Sequence, residues 1–266
     1  MTETKEQLLT KLGFRFGVNG PHAARTMMLD DLRELFRNLP QTASRDEYLK
    51  SIAIENVLGK PTKKARELAG RHLCALYALD TKVPLFRVMR KLWDVDEQAQ
   101  PVLALTVALA RDPLLRGTED FILSKHPGEL VTREDLEQLL ERNHPGRFSP
   151  ASLKSFAQNV NGTWTSAGFL VGRIRKTRAV PVITPANVVL SLAMGHLQGL
   201  TGQRLFASSW MRLLSIYPDE AEALVTAASH RGLLLFLNAG GVKEVRFPDY
   251  VTPEEELVRQ EVSLVV

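Results

Sequence analysis

The apolar residues of this chain change their period at Gly168. Upstream, Leu153, Phe156, Ala157, Val160 and Trp164 recur every three or four residues, which lays them along one face of an α-helix. Downstream, "GFLVGRIRKTRAVPVITP" (168–185) alternates, with Leu170 and Ile174 to one side and Arg173 and Arg175 to the other, as in a strand pair. The helix starts at Ser149-Pro150, where a hydroxyl can cap the first turn and proline fits inside it. An earlier helix, "REDLEQLLERN", is capped by Thr132 with Asp135 at its third position, and it turns Leu136, Leu139 and Leu140 inward. "HPGRF" is the turn between the two helices. Helix, turn, helix, hairpin is the order of a winged helix-turn-helix.

The order recurs near the end of the chain. "FASSWMRLLSIY" reads as a helix, and Pro218 opens a second, "PDEAEALVTAASHR", with acids in its first turn and His230-Arg231 in its last, as the helix dipole favours. Gly232 is a stop signal, and "LLLFLNAGGVKEVRF" is a hairpin with Gly240-Gly241 at the turn. Between the two units, "TPANVVLSLAMGHLQGL" reads as a helix or pair of helices. The tail "TPEEELVRQEVSLVV" is acidic and then apolar, able to pack or to fray.

The first half is helical throughout. "MMLDDLRELFRNL" sets Met28, Leu32, Leu35, Phe36 and Leu39 on one stripe. Ser44 caps "SRDEYLKSIAIEN" with Glu47 three residues on, "VLGKP" breaks the chain, and Thr62 opens "TKKARELAGRHLCALYAL". "VPLFRVMRKLW" and "QPVLALTVALARD" read as two more buried helices. The expectation is a mostly α protein: an N-terminal helical, helix-turn-helix-containing domain (1–116), a winged helix-turn-helix (117–185), and a helical segment with a second winged-helix-like unit and tail (186–266). Both winged units carry short β-hairpins.

Net charge is mild, 34 Lys+Arg against 30 Asp+Glu, so the distribution of charge decides what partner it fits. The first ribbon holds Arg173, Arg175, Lys176 and Arg178 and no acid. The helix before it offers Lys154, Ser155, Gln158, Asn159 and Asn161 as outward polar groups. Asn and Gln can pair with adenine, while Lys and Arg reach phosphate or guanine. A third basic stretch, Lys60, Lys63 and Lys64, lies at the start of the helix after Thr62, where free N–H groups already favour an anion. A solvated polar face would look the same. The second hairpin, with Lys243, Glu244 and Arg246, is nearly balanced and reads as structural or as a protein-docking edge.

Enzyme signatures do not emerge. The six histidines are scattered, no HExxH pair or Cys/His cluster has metal-ligand spacing, and "GKPT" lacks the upstream glycine of a phosphate loop. Asp112-Pro113 reads as a helix start, and Trp93, Trp164 and Trp210 sit at core positions. No catalytic residue, metal or cofactor is expected. The lone cysteine, Cys74, reads as a small core residue. With no signal-like start and no apolar run of bilayer length, it points to a cytoplasmic protein without membrane contact.

"YLKSIAIENVLGKPTKKARELAGRHLCALYALD" resembles the helix-turn-helix region of the BrxA family, accessory proteins of BREX phage-defence systems. Glu55, Asn56, Gly59, Lys60, Thr62 and Arg66 are the matching positions. The resemblance implies a bacterial, non-enzymatic protein that binds double-stranded DNA within a defence system, with other subunits of that system as further partners. A protein-interaction scaffold and a transcriptional regulator are the alternatives.

Overall fold

The computed structural model describes residues 3–248 and 250–265, which are mostly helical with two small antiparallel sheets. No helix among the described residues is long and apolar enough to cross a membrane. Packing divides the chain into two units. One, here the winged unit, takes residues 15–82 and 107–180. The other takes the chain up to Phe14, residues 83–106 and everything from Pro181 onward. These boundaries differ from those expected at 116 and 185. Periodicity reveals which face of a helix is buried but not what covers it. Residues 15–82 bury their faces with the winged segment, whereas Pro84–Trp93 packs on Pro185–Leu197.

In the winged unit, Leu29–Asn38 buries Leu32, Leu35 and Phe36 as the stripe requires. Arg45–Lys50 is capped by the Ser44–Glu47 box and runs on into a π-helical turn, Ser51–Glu55. Lys63–Tyr77 follows, capped by Thr62. After Glu119–Ser124 come strand β1 (Leu130–Val131), the helix Arg133–Asn143 with its Thr132–Asp135 box, the helix Pro150–Ser166, and the ribbon strands β2 (Leu170–Val171) and β3 (Lys176–Arg178). The sheet order is β1-β3-β2, all antiparallel, with Leu130 opposite Thr177 and Leu170 opposite Arg178. The first strand of this small sheet is only two residues long, too short to show a period.

In the second unit, Pro185–Leu197 is a single helix, buried on nearly every side, in keeping with its unbroken apolar sequence. Within "FASSWMRLLSIY" the helix is the short Ser209–Leu213, started by the Ser208 hydroxyl, which accepts from the Met211 N–H; a separate short helix, Gln203–Phe206, ends at the first residue of the stretch. Pro218–His230 leads into the hairpin β4 (Leu235–Ala239) and β5 (Val242–Arg246). Gly240 and Gly241 have φ of +59° and +85°, the positive values a tight two-residue hairpin turn demands. Residues 253–264 of the tail form a helix capped by Thr252 and Glu255. Arg87 holds the Tyr250 carbonyl and the Glu255 carboxylate, and His196 Nε2 lies 2.9 Å from Glu256. Val266 lies outside the described residues.

Candidate nucleic-acid interface

The ribbon divides its four cations between two jobs. Residues 172–175 form its tip, and Arg173 and Arg175 are exposed there, neither paired to a carboxylate among the described residues. Lys176 opens β3 half-buried, its Nζ donating to the Gly172 carbonyl at 3.0 Å, and burial pushes its ammonium below the ordinary value. Arg178 does not belong to the surface. Only 5% exposed, it lies across the Phe169 ring and donates to the Phe169 and Ala179 carbonyls. It turns inward because it stands opposite the buried Leu170 and shares that side of the ribbon, an odd number of residues from Arg175; the strand itself breaks at the tip. The same break overturns the expected side for Ile174: it stands at the tip, 93% exposed, between the two free arginines.

The helix Pro150–Ser166 is sorted in a similar way. Lys154 and Gln158 are exposed, as expected of outward groups. Asn159 is not free to read a base: its Nδ2 donates to the His22 carbonyl at 3.0 Å. Asn161 is only 8% exposed, and its Oδ1 finds no hydrogen-bond partner among the described residues. Lys154, Gln158 and Asn161 follow at i, i+4 and i+7, one stripe of the helix. Asn161 then lines a cavity of about 410 Å³ together with Ile174, Arg175 and Lys176 of the ribbon and residues 130–134. The ribbon tip therefore meets the helix at Asn161.

Sequence reasoning missed what holds this helix in place. His22 is fully buried, its Nδ1 2.8 Å from Asp112 Oδ2 and its Nε2 2.8 Å from Thr163 Oγ1. The Thr163 hydroxyl also accepts the Met27 N–H, and the Met27 carbonyl accepts the Tyr77 hydroxyl, which links Lys63–Tyr77 to Pro150–Ser166. Arg147, in the turn between the two winged-unit helices, donates to the Val18 carbonyl and Asn19 Oδ1. Residues 15–28 are thus a strap across the helix and its turn. A Thr, a His and an Asp in hydrogen-bonded series resemble a hydrolase triad, but all three are sealed from solvent, so they act as a fastening. Asp112 was legible as a helix start, and its Oδ1 does cap the Leu114 and Leu115 N–H groups. Its second oxygen's partner lies 90 residues away and left no local signal.

The lysines after the first turn also separate. Lys60 is tied to Asp31 at 2.7 Å. Lys63 is exposed and only loosely opposite Glu67 at 3.9 Å, and Lys64 is exposed. The turn accounts for the residues that carry the family resemblance. Asn56 and Gly59 have φ of +54° and +61°, Asn56 Oδ1 accepts the Lys60 N–H, and Thr62 caps the next helix. Asx-turn and capping chemistry of this kind recurs in unrelated turns.

Charge follows the division of the chain. The winged unit holds 23 Lys and Arg against 16 Asp and Glu, a formal +7. The other unit holds 11 against 14, a formal −3. Among the described residues, no group of three His, Cys, Asp or Glu is arranged to hold a metal ion. No protein-family model matches the chain, and no curated protein matches it.

Proposed function

We propose that the chain is a double-stranded-DNA-binding protein whose contact surface is the winged unit, acting without catalysis as an accessory of a bacterial phage-defence system. One observation carries the DNA reading: Asn161, at the end of the helix stripe that exposes Lys154 and Gln158, shares a cavity with Ile174 and Arg175 of the ribbon tip, in the unit that holds all of the chain's positive excess. In this reading Arg173 and Arg175 neutralise phosphates and release counterions, Lys154 and Gln158 approach the groove, and Lys63 and Lys64 supply further phosphate contacts. Few groups are left to read base edges, so affinity exceeds sequence preference. The defence-system assignment rests on the resemblance across Glu55–Arg66 alone.

The test is fluorescence anisotropy with random duplex over a salt series. Arg173→Gln/Arg175→Gln is expected to lower the slope of log K against log salt by about 2, roughly 0.9 for each phosphate that is no longer neutralised. An unchanged slope removes the ribbon from the interface. A second reading, a scaffold that docks protein subunits, draws on the outer face of the second hairpin, where Leu235, Leu237 and Val242 stand exposed. A scaffold gives no anisotropy change at any salt.

A further inference from the structure

The cavity between ribbon and helix is walled by Leu130, Val131 and Ile174, with Arg175 and Lys176 on one side and Asn161 on the helix. Thr132, Arg133 and Glu134 complete it, but the last two are paired to each other at 2.6 Å, and Arg133 is held by Glu137 as well. With Glu134 and Glu137 against Arg133, Arg175 and Lys176 the local charge is a net +1, and Arg175 and Lys176 are the cations that no carboxylate pairs among the described residues. Two features are unexplained by folding alone. Asn161 keeps a buried carboxamide oxygen without a donor, a state that costs free energy. Lys176 keeps a partly desolvated ammonium whose hydrogen bond goes to a neutral carbonyl. Together they ask for a ligand with an anionic end, a flat apolar body and a hydrogen-bonding edge.

We propose that this cavity is a nucleotide-binding site, taking one unstacked nucleotide with its phosphate at Arg175 and Lys176, its base between Leu130 and Ile174, and its edge at the Asn161 carboxamide. The volume, about 410 Å³, is in the range of small-molecule sites. Asn161 matches adenine best, because a carboxamide offers an acceptor to the exocyclic amine and a donor to the ring nitrogen. The oxygen is sealed in the unliganded protein, so the base must turn the carboxamide about its terminal torsion, which is broad for Asn. The nucleotide comes either free or from a DNA strand that releases an unpaired base. The strand-borne source rests on the DNA-binding reading; the free one does not.

The experiment titrates the full chain with adenosine monophosphate, adenosine and inorganic phosphate by calorimetry, and separately with a duplex carrying one bulged adenosine and its fully paired counterpart. Adenosine monophosphate is expected to bind at least about tenfold tighter than either half, because both ends of the site contribute. Lys176→Gln and Asn161→Leu are each expected to weaken it about tenfold, with thermal midpoints confirming a folded chain. Arg175→Gln serves if Asn161→Leu does not fold. A tenfold preference for the bulged duplex assigns the strand as source; equal duplex affinities with tight monophosphate binding assign the free nucleotide. No saturable monophosphate binding together with equal duplex affinities overturns the site, as do variants that bind like the parent. Duplex binding lost while monophosphate binding persists would instead overturn the DNA reading and leave the cavity standing.

Discussion

Asp112 uses one carboxylate oxygen to start a helix and the other to hold His22, with no solvent at either. Burial by itself raises its carboxyl, but the hydrogen bonds from the His22 ring and backbone and from the Leu115 N–H outweigh that and keep it below the ordinary carboxylate value. A depressed folded value means the stabilisation is complete above the unfolded value, about 3.9, and is lost as the pH falls below it. Urea midpoints taken from pH 7 down to pH 3 are expected to show this loss. In Asp112→Asn the protein is expected to be weaker by about 2–3 kcal/mol at pH 7, with a smaller acid dependence. Gly20 belongs to the same fastening: a Cβ there would stand 1.7 Å from Asp112 Oδ1, so Gly20→Ala is expected to cost at least about 1–3 kcal/mol in the same measurement. Arg178→Gln is expected to destabilise by a similar amount and to leave the salt slope of DNA binding near its parent value, since this side chain faces Phe169 and the backbone. A flattened slope in a stable Arg178→Gln protein would return that residue to the surface.

At the scale of elements, local chemistry was legible and distant partnership was not. Ser44, Thr62, Thr132 and Ser149 each start a helix, and the glycine pair turns the second hairpin, because capping and turn preferences act within four residues. The ribbon is legible too: a period of two puts Arg178 on the side of Leu170, and both are buried, but it puts Ile174 there as well, and the tip leaves the strand at that residue. A strand pattern of two or three residues has no internal check on its phase. The π-helical turn at Ser51–Glu55 and the two-residue β1 fall below any periodic signal. The ribbon yields its own test. Gly172 has φ of +107°, and a Cβ there would fall 2.1 Å from the Arg175 carbonyl oxygen, so the tip closes only with glycine. Gly172→Ala is expected to weaken duplex binding at least as much as Arg173→Gln/Arg175→Gln while changing the thermal midpoint little, because the tip buries almost no apolar surface. A Gly172→Ala protein that binds duplex like the parent would show that the tip's shape is irrelevant to binding.

For the whole molecule, a net +4 conceals a division into +7 and −3. No reading of overall charge could find this, because each unit is assembled from stretches far apart in the sequence and the boundaries are set by packing. A polyanion senses the local field, which falls off within a Debye length of about 8 Å at physiological salt, so the unit's excess matters more than the total. The consequence is a footprint confined to one unit. When the full chain is acetylated with and without saturating duplex, Lys63, Lys64 and Lys154 of the winged unit are expected to be protected. Lys5 and Lys91 of the other unit are expected to react alike in both samples. Lys60 and Lys243 serve as internal controls, since their ion pairs with Asp31 and Glu222 slow them whether or not DNA is present. Protection of Lys5 or Lys91 instead would move the contact onto the acidic unit, where the −3 charge opposes phosphate and a contact through base edges or a bridging cation would have to be sought.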